Sequence, residues 1–348
     1  MVEYVNYLRL GMIRLDALLF IAILGVSTGL LYLWRMGTIN RNVLLSGLLT
    51  ISAVDLARID WQIIYPSRGS LRSSVLISTS SQKRYLGNDQ VTDYLVGQQR
   101  PYRIWPVGPL QKQNRWAAFQ IESIAGYHPA KLANYNRMMN TTGFRSGGIL
   151  QMLNVKYLVS MGRFEDPRFE EVFVGTLYQG DQYKPAVVYH FKDALERAWF
   201  PADVRHVTGP DQALAAIMAP QYDPVQVVYL AGASSTVRPV AGFGRVLEAD
   251  WRPAHIRLQV ETGSSALLVV SEVYYPGGWV ARVDGEETPI HEVNTVLRGV
   301  QVPQGRHEVT LDFEPRDLAL GRWISNLALL VVLLGFMPST VRRIRLLK

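Results

Sequence analysis

The sequence predicts a membrane α-helical protein of three spans that carries an extracytoplasmic α/β layer domain and an antiparallel β-sandwich of jelly-roll or immunoglobulin-like kind. Three observations predict this. Long uncharged runs lie near both ends, short apolar runs alternate with amphipathic stretches in the middle, and after residue 243 the apolar period becomes two. With 348 residues and 48% hydrophobic content there is room for such a mixture, and a mean hydropathy of +0.05 is too polar for a pure membrane bundle.

The first span is expected at 17–34, after an N-terminal segment 1–16 placed outside, and the second at 42–59. Asp55 and Arg58 fall in the outer turn of the second, where they reach headgroup and water or pair with each other three residues apart. The third span is expected at 323–341. Residues 17–34 lack a small-residue cleavage site, and a second apolar run follows directly, so the segment reads as a span rather than a signal peptide.

Of the net charge of +7, Arg342, Arg343, Arg345 and Lys348 lie in the tail 342–348. The positive-inside tendency puts that tail, Arg35 and Arg41 in the cytoplasm and leaves 60–318 on the outer side, with Arg9 and Arg14 counting against it. The chain is thus expected as a multi-pass protein of the cytoplasmic membrane. Arg316 and Arg322 are read as interfacial anchors for phosphate headgroups.

Between the spans, 73–230 interleaves strand-like runs at 75–78, 102–106, 156–160, 172–177, 186–191 and 225–230 with helical patterns at 89–96, 129–140 and 211–218. From 243 to 315 strands alternate strictly. Ile256, Leu258 and Val260 take one face of a strand, and Val309, Leu311 and Phe313 one face of another. Asp284-Gly285 between apolar runs signals a type I′ hairpin, which needs positive φ at both central positions.

Several function classes drop out. The chain has no Cys, so disulfides, thiolate zinc sites and Cys nucleophiles are absent. His128, His190, His206, His255, His291 and His307 are scattered without a helical ligand spacing, and no metal site is expected. Walker A and G-x-S-x-G signatures are missing, and Gly242-Phe243-Gly244 lacks the third glycine of a dinucleotide loop because Leu247 stands there. Glu165, Asp166, Glu170 and Glu171 read as a solvated turn. With the basic tail assigned to the cytoplasm, no basic soluble face remains for nucleic acid.

Two groups are candidate ligand-binding sites. If a helix starts at Pro129, Lys131 and Tyr135 share a face with His128 just before it, an arrangement suited to a phosphate or pyrophosphate headgroup. A capped surface helix with a solvated Lys is the plainer alternative, and Tyr127 belongs to the same stretch. Tyr274, Tyr275 and Trp279 flank Pro276-Gly277-Gly278 as an aromatic loop able to stack on sugar or sit at a lipid interface, or simply to bury a Trp beside a turn. Asn294 and Arg298 either buttress that loop or stand exposed.

Four stretches together resemble the bacterial membrane protein YfhO family, a branch of the GT-C-type glycosyltransferase-like proteins. They are Val54-Asp55-Leu56; Gly126-Tyr127-His128-Pro129-Ala130-Lys131-Leu132 with Tyr135; Leu153-Asn154-Val155-Lys156-Tyr157-Leu158; and Tyr274-Tyr275-Pro276-Gly277-Gly278-Trp279 through Val283-Asp284-Gly285 and Asn294 to Arg298-Gly299-Val300. The resemblance implies a lipid-linked sugar donor, transfer on the outer membrane face, and a divalent metal with acidic catalytic residues on a first outer loop. No position of this chain matches those carboxylates, so no catalytic residue and no cofactor is assigned to it.

The chain is therefore expected to be the C-terminal part of a YfhO-like membrane glycosyltransferase, inactive without further spans. Its expected partners are the lipid bilayer, a polyprenyl-phosphate-linked sugar or envelope glycolipid, and an upstream membrane polypeptide. The rival expectation is a non-catalytic membrane-anchored module that binds envelope carbohydrate, lipid or a membrane subunit. Were the chain to turn over a donor alone, Asp55 and Glu272 are the carboxylates to mutate.

Overall fold

The computed structural model describes residues 2–64, 79–128, 130–179, 182–231 and 240–336, apart from the side chains of 2–16, 62–64, 316, 319 and 332–336. The chain divides into two compact units, Met1–Lys83 and Arg84–Lys348.

The first unit is a helical hairpin of α1 (Val2–Arg35) and α2 (Arg41–Ile64). The turn between them uses Gly37 at φ +74°, and the Asn40 side chain accepts from Val43 N at 2.9 Å to cap α2. At Gly47 a Cβ would lie 2.9 Å from Leu30 Cδ1, so a small residue lets the two helices approach. Ala17–Arg35 and Arg41–Trp61 are long and apolar enough to cross a membrane, and 0% and 6% of these windows are buried. Apolar helices left this bare in water would aggregate; hydrocarbon is the solvent that fits them. Residues 1–16, expected as a separate segment, instead continue the first helix from Val2, because nothing in the run breaks it.

Helix α3 (Thr79–Tyr85) contains the division, and the second unit continues with α4 (Gln90–Val96), which starts from a capping box: Asp89 accepts from Thr92 N at 2.8 Å and the Thr92 hydroxyl accepts from Asp89 N at 3.0 Å. Strands β1 (Arg103–Pro106) and β2 (Glu122–Ser123) come next, then α5 (Ala133–Thr142), α6 (Gly147–Met152), β3 (Val155–Ser160), β4 (Phe169–Gln179) and β5 (Gln182–Phe191). They form a mixed sheet in the order β2-β1-β3-β5-β4, with β1 parallel to its neighbours and the β3-β5-β4 part antiparallel. One face of this sheet packs Ile104, Val159 and Val188 against Val91 and Leu95 of α4. The strand expected at 75–78 lies outside the described residues.

The chain then adds β6 (Ala198–Trp199), β7 (Asp203–Val207), α7 (Pro210–Ile217) and β8 (Val227–Ala231). The period-two region supplies β9 (Gly244–Arg252), β10 (His255–Thr262), β11 (Ala266–Val273), β12 (Trp279–Val283), β13 (Glu286–Thr288), β14 (Ile290–Val293), β15 (Leu297–Val302) and β16 (Gly305–Phe313). These strands build a five-stranded sheet, β13-β12-β16-β10-β9, and a six-stranded one, β6-β11-β15-β14-β8-β7. Asp284 and Gly285 take φ of +52° and +87° between β12 and β13, as the type I′ turn requires.

The six-stranded sheet is the middle layer. On β11, Leu267 and Val269 join the cluster built with Leu150, Leu158 and Phe191, while Leu268 and Val270 join the one built with Leu258 and Val309 of the facing sheet. A boundary between α/β and β regions at 230/243 therefore cuts through a sheet, since β6, β7 and β8 hydrogen-bond into the same layer as β11, β14 and β15.

From β16 the chain passes Glu314 and Pro315 into α8 (Arg316–Phe336), whose apolar stretch is Leu320–Val331. This is shorter than a span. The expected third span 323–341 and tail 342–348 run beyond the described residues, so two spanning helices rather than three stand among those described.

Candidate functional site

Where β1 and β2 meet β6 and β11, four charged side chains interlock. Arg103 of β1 donates from Nε to Glu122 at 3.2 Å, from Nη2 to Glu272 at 3.0 Å, and from Nη1 to Ser271 Oγ at 2.9 Å and Leu153 O at 3.1 Å. Arg197, just before β6, forks onto Glu122 at 2.8 and 2.7 Å and reaches Glu272 from Nε at 2.8 Å and through a second, shorter contact from Nη2. Such bidentate, charge-assisted pairs are the strong kind of hydrogen bond.

Exposure differs within this cluster. The Arg103 and Arg197 side chains are 11% and 7% exposed, whereas Glu122 keeps 49%. Burial works to raise the Glu122 carboxyl, but the guanidinium groups of Arg197 and Arg103 outweigh it and hold the pKa below the ordinary value. Burial likewise opposes the charge on Arg197, and the two carboxylates outweigh it and raise its pKa. Glu122 and Arg197 are therefore both ionised at neutral pH.

The cluster floors a groove made of three contiguous clefts. The middle one, of about 800 Å³, is walled by Arg103, Glu122, Arg197, Trp251, Glu272 and Trp279. A cleft of about 770 Å³ continues past Arg100 and Trp251 along β9. On the other side, a more apolar pocket of about 500 Å³ shares Arg103, Asn114 and Ser123 with the middle cleft. It is closed by Tyr135, Met139, Leu153 and Leu297 and rimmed by Tyr127, His128 and Lys131.

The structure thus gathers Tyr127, His128, Lys131 and Tyr135 at one end of the groove, though not on a shared helix. Helix α5 begins at Ala133 rather than at 129, so Lys131 precedes it and does not share its face with Tyr135. The cause is local: His128 Nδ1 accepts from Ala130 N at 3.1 Å, closing a turn that competes with the helix. Pro129 lies outside the described residues. Asn114 pins the loop by accepting from Tyr127 N at 2.9 Å and donating to Tyr127 O at 2.7 Å. Gly126, at φ +154°, is required there because a Cβ would come within 3.0 Å of Asn114 Oδ1. Tyr135 donates its hydroxyl to Ile124 O at 2.7 Å, and burial raises its pKa, so it acts as a fixed hydrogen-bonding phenol rather than an acid.

Tyr274, Tyr275 and Trp279 border a separate cleft of about 530 Å³, and Trp279 alone of the three also walls the groove. Arg298 backs that loop: its guanidinium lies 3.8 Å from the Trp279 ring centroid, and Nε and Nη2 donate to Val273 O at 3.1 and 3.0 Å. Burial pulls its pKa down to about 10, with Arg103 adding to the effect and Glu272 opposing it, which leaves the group charged at neutral pH. Arg298 is therefore a support, not an exposed ligand. Asn294, expected beside this loop, is wholly buried elsewhere; it accepts from Tyr229 N at 2.9 Å and donates to the Tyr222 hydroxyl at 2.7 Å, joining β8 to β14. Its φ of +51° turns the chain inward at the end of β14, which removes it from the groove.

In the first unit Asp55 and Arg58 pair at 3.7 Å. Arg322 is exposed on α8, and the Arg316 side chain lies outside the described residues. A divalent cation does not fit the groove carboxylates. Glu122 and Glu272 are each held by two guanidinium groups, and among the described residues no three acidic or His side chains cluster.

Residues 245–325 match the family described as "Bacterial membrane protein YfhO". Over this segment the chain is similar to that family. No curated protein and no solved structure matches the chain.

The YfhO segment runs from β9 to the first half of α8 and supplies Trp251, Glu272 and Trp279 to the groove, while Arg103, Glu122, Arg197 and the Tyr127 loop come from the preceding layer. Sequence reasoning missed Arg103, Glu122, Arg197 and Trp251. One signal was present: Arg103 opens an otherwise buried strand, Arg-Ile-Trp-Pro, where a charge demands a partner.

Proposed function

We propose that this chain is part of a YfhO-like membrane glycosyltransferase and that its large region, on the outer side of the cytoplasmic membrane, holds a polyprenyl-phosphate-linked sugar or another envelope glycolipid. The observation that carries this reading is the meeting, inside one groove, of an apolar pocket rimmed by His128 and Lys131 with a polar cleft walled by YfhO-segment aromatics. A glycolipid has the same sequence of parts: hydrocarbon, phosphate, sugar. On this reading Lys131 meets the phosphate as a charge-assisted donor and His128 donates to it from Nε2, and Tyr135 and Met139 wall the first isoprene units.

Catalytic carboxylates are not assigned to the groove, because Glu122 and Glu272 are committed to guanidinium partners. They belong, on this reading, to a first outer loop with no counterpart among these positions, which acts with this region. The test is binding of a short-chain polyprenyl-phosphate sugar to the full chain in lipid nanodiscs. Saturable binding is expected, weakened about tenfold by Lys131→Ala, the worth of one charge-assisted bond. Binding that ignores Lys131→Ala and His128→Ala alike contradicts the headgroup assignment, and sugar transfer by the chain alone contradicts the placement of catalysis elsewhere.

A further inference from the structure

We infer that the middle cleft between Trp251 and Trp279 is a binding site for a neutral saccharide, with the two indoles as stacking platforms. The inference rests on the glycolipid reading only for the direction in which a bound molecule lies. The cleft's own chemistry carries the rest.

Each indole is held in place by a guanidinium, in the case of Trp251 by one that itself walls the cleft. The Arg197 guanidinium lies 5.1 Å from the Trp251 ring centroid, and the Arg298 guanidinium 3.8 Å from that of Trp279. Both rings remain partly exposed where they wall the cleft. An aromatic ring whose orientation is fixed before binding contributes stacking without losing side-chain entropy at that moment. The C–H faces of a pyranose are the matching surface.

A phosphate or other anion is the rival occupant of a cleft so rich in arginine; Arg100 at its edge, which donates to Phe119 O at 3.4 Å, offers it one guanidinium, and the other guanidinium groups disfavour it. Arg103 and Arg197 are neutralised by Glu122 and Glu272. Arg298 donates from Nε and Nη2 to Val273 O and is not among the groups walling the cleft, although its buried Nη1 has no hydrogen-bond partner among the described residues. At the rim Arg252 pairs with Asp250 at 2.8 Å. An incoming anion meets two carboxylates in the same wall, and Glu122, half-exposed, repels it.

Hydroxyl groups meet no such penalty. Glu122 Oε1 receives one guanidinium bond and keeps capacity to accept another. The wall also carries the exposed Gln120, while Gln113 Oε1 and Trp116 Nε1 have no hydrogen-bond partner among the described residues but are buried. A polyol supplies both donor and acceptor at every hydroxyl.

The site is tested on the full chain in nanodiscs labelled with 5-fluorotryptophan, titrated with maltotriose and chitotriose and, separately, with inorganic phosphate. The chain holds 8 Trp, each assigned by single Trp→Phe replacement. Expected are saturable shifts of the Trp251 and Trp279 resonances with at least one trisaccharide and none with phosphate. Trp251→Ala should weaken binding at least tenfold. Gln120→Ala, in an exposed loop, should weaken it about threefold and covers the case in which Trp251→Ala fails to fold. No shift with either trisaccharide, or the same shifts with phosphate, overturns the inference. Because these probes carry no lipid, their failure leaves the polyprenyl-phosphate assay to stand or fall by itself.

Discussion

Two ionic clusters in the second unit use the same chemistry and differ in one respect. Asp89 and Arg115 pair at 2.5 Å with both side chains 0% exposed, and Arg115 spends its other donors on Tyr85 O at 3.1 Å and Gly87 O at 2.9 Å. Asp89 also caps α4 and accepts from Tyr178 N at 3.1 Å. All three guanidinium nitrogens and both carboxylate oxygens there have partners inside the protein, as a sealed ion pair demands. The cluster of Arg103, Glu122, Arg197 and Glu272 is equally dense, yet one carboxylate stays half in solvent and the whole floors a groove. A sealed pair fixes a fold; an open one also presents a shaped, charged wall to whatever enters.

That contrast can be broken most forcefully at the sealed pair. Asp89→Ala strands a fully buried guanidinium and removes a helix cap, so urea unfolding of the detergent-solubilised chain should show a loss of about 3–5 kcal/mol. Glu272→Gln, which keeps shape but removes one charge from a cluster with three others, should cost less, about 1–3 kcal/mol in the same titration. A larger cost at Glu272 than at Asp89 would reverse the ranking.

The smallest effect expected is one of pH. The Glu122 pKa in the folded chain lies below its ordinary value of 4.5, so this group adds stability above that pH and loses it as the pH falls through the folded value. Thermal melts from pH 6 to pH 3 should fall more steeply for the parent chain than for Glu122→Gln, and parallel curves would show that the half-exposed carboxylate contributes nothing.

Much of this fold is written locally. In β10 the alternation of Ile256, Leu258 and Val260 marks one buried face, and all three are buried; Asp284-Gly285 makes the turn its residue types demand; Asp89 starts α4 as a cap should. What stayed hidden was non-local. The run Leu267-Leu268-Val269-Val270 has no period because β11 is covered on both faces, and no pattern tells that its neighbour is β6, some 70 residues earlier in the chain. The groove is hidden for the same reason: Glu122 and Glu272 come from different layers, and only the tertiary fold brings both to Arg197. His128 shows the limit of reading helix starts, since its own side chain closes the turn that delays α5.

The proposed function requires the large unit to face the outside of the cell. The chain contains no Cys, so a single Glu286→Cys at the exposed tip of the β12–β13 hairpin gives an unambiguous probe. Intact spheroplasts treated with a membrane-impermeant maleimide should label it fully before lysis. Labelling that appears only after lysis would place the groove in the cytoplasm and contradict the proposed function.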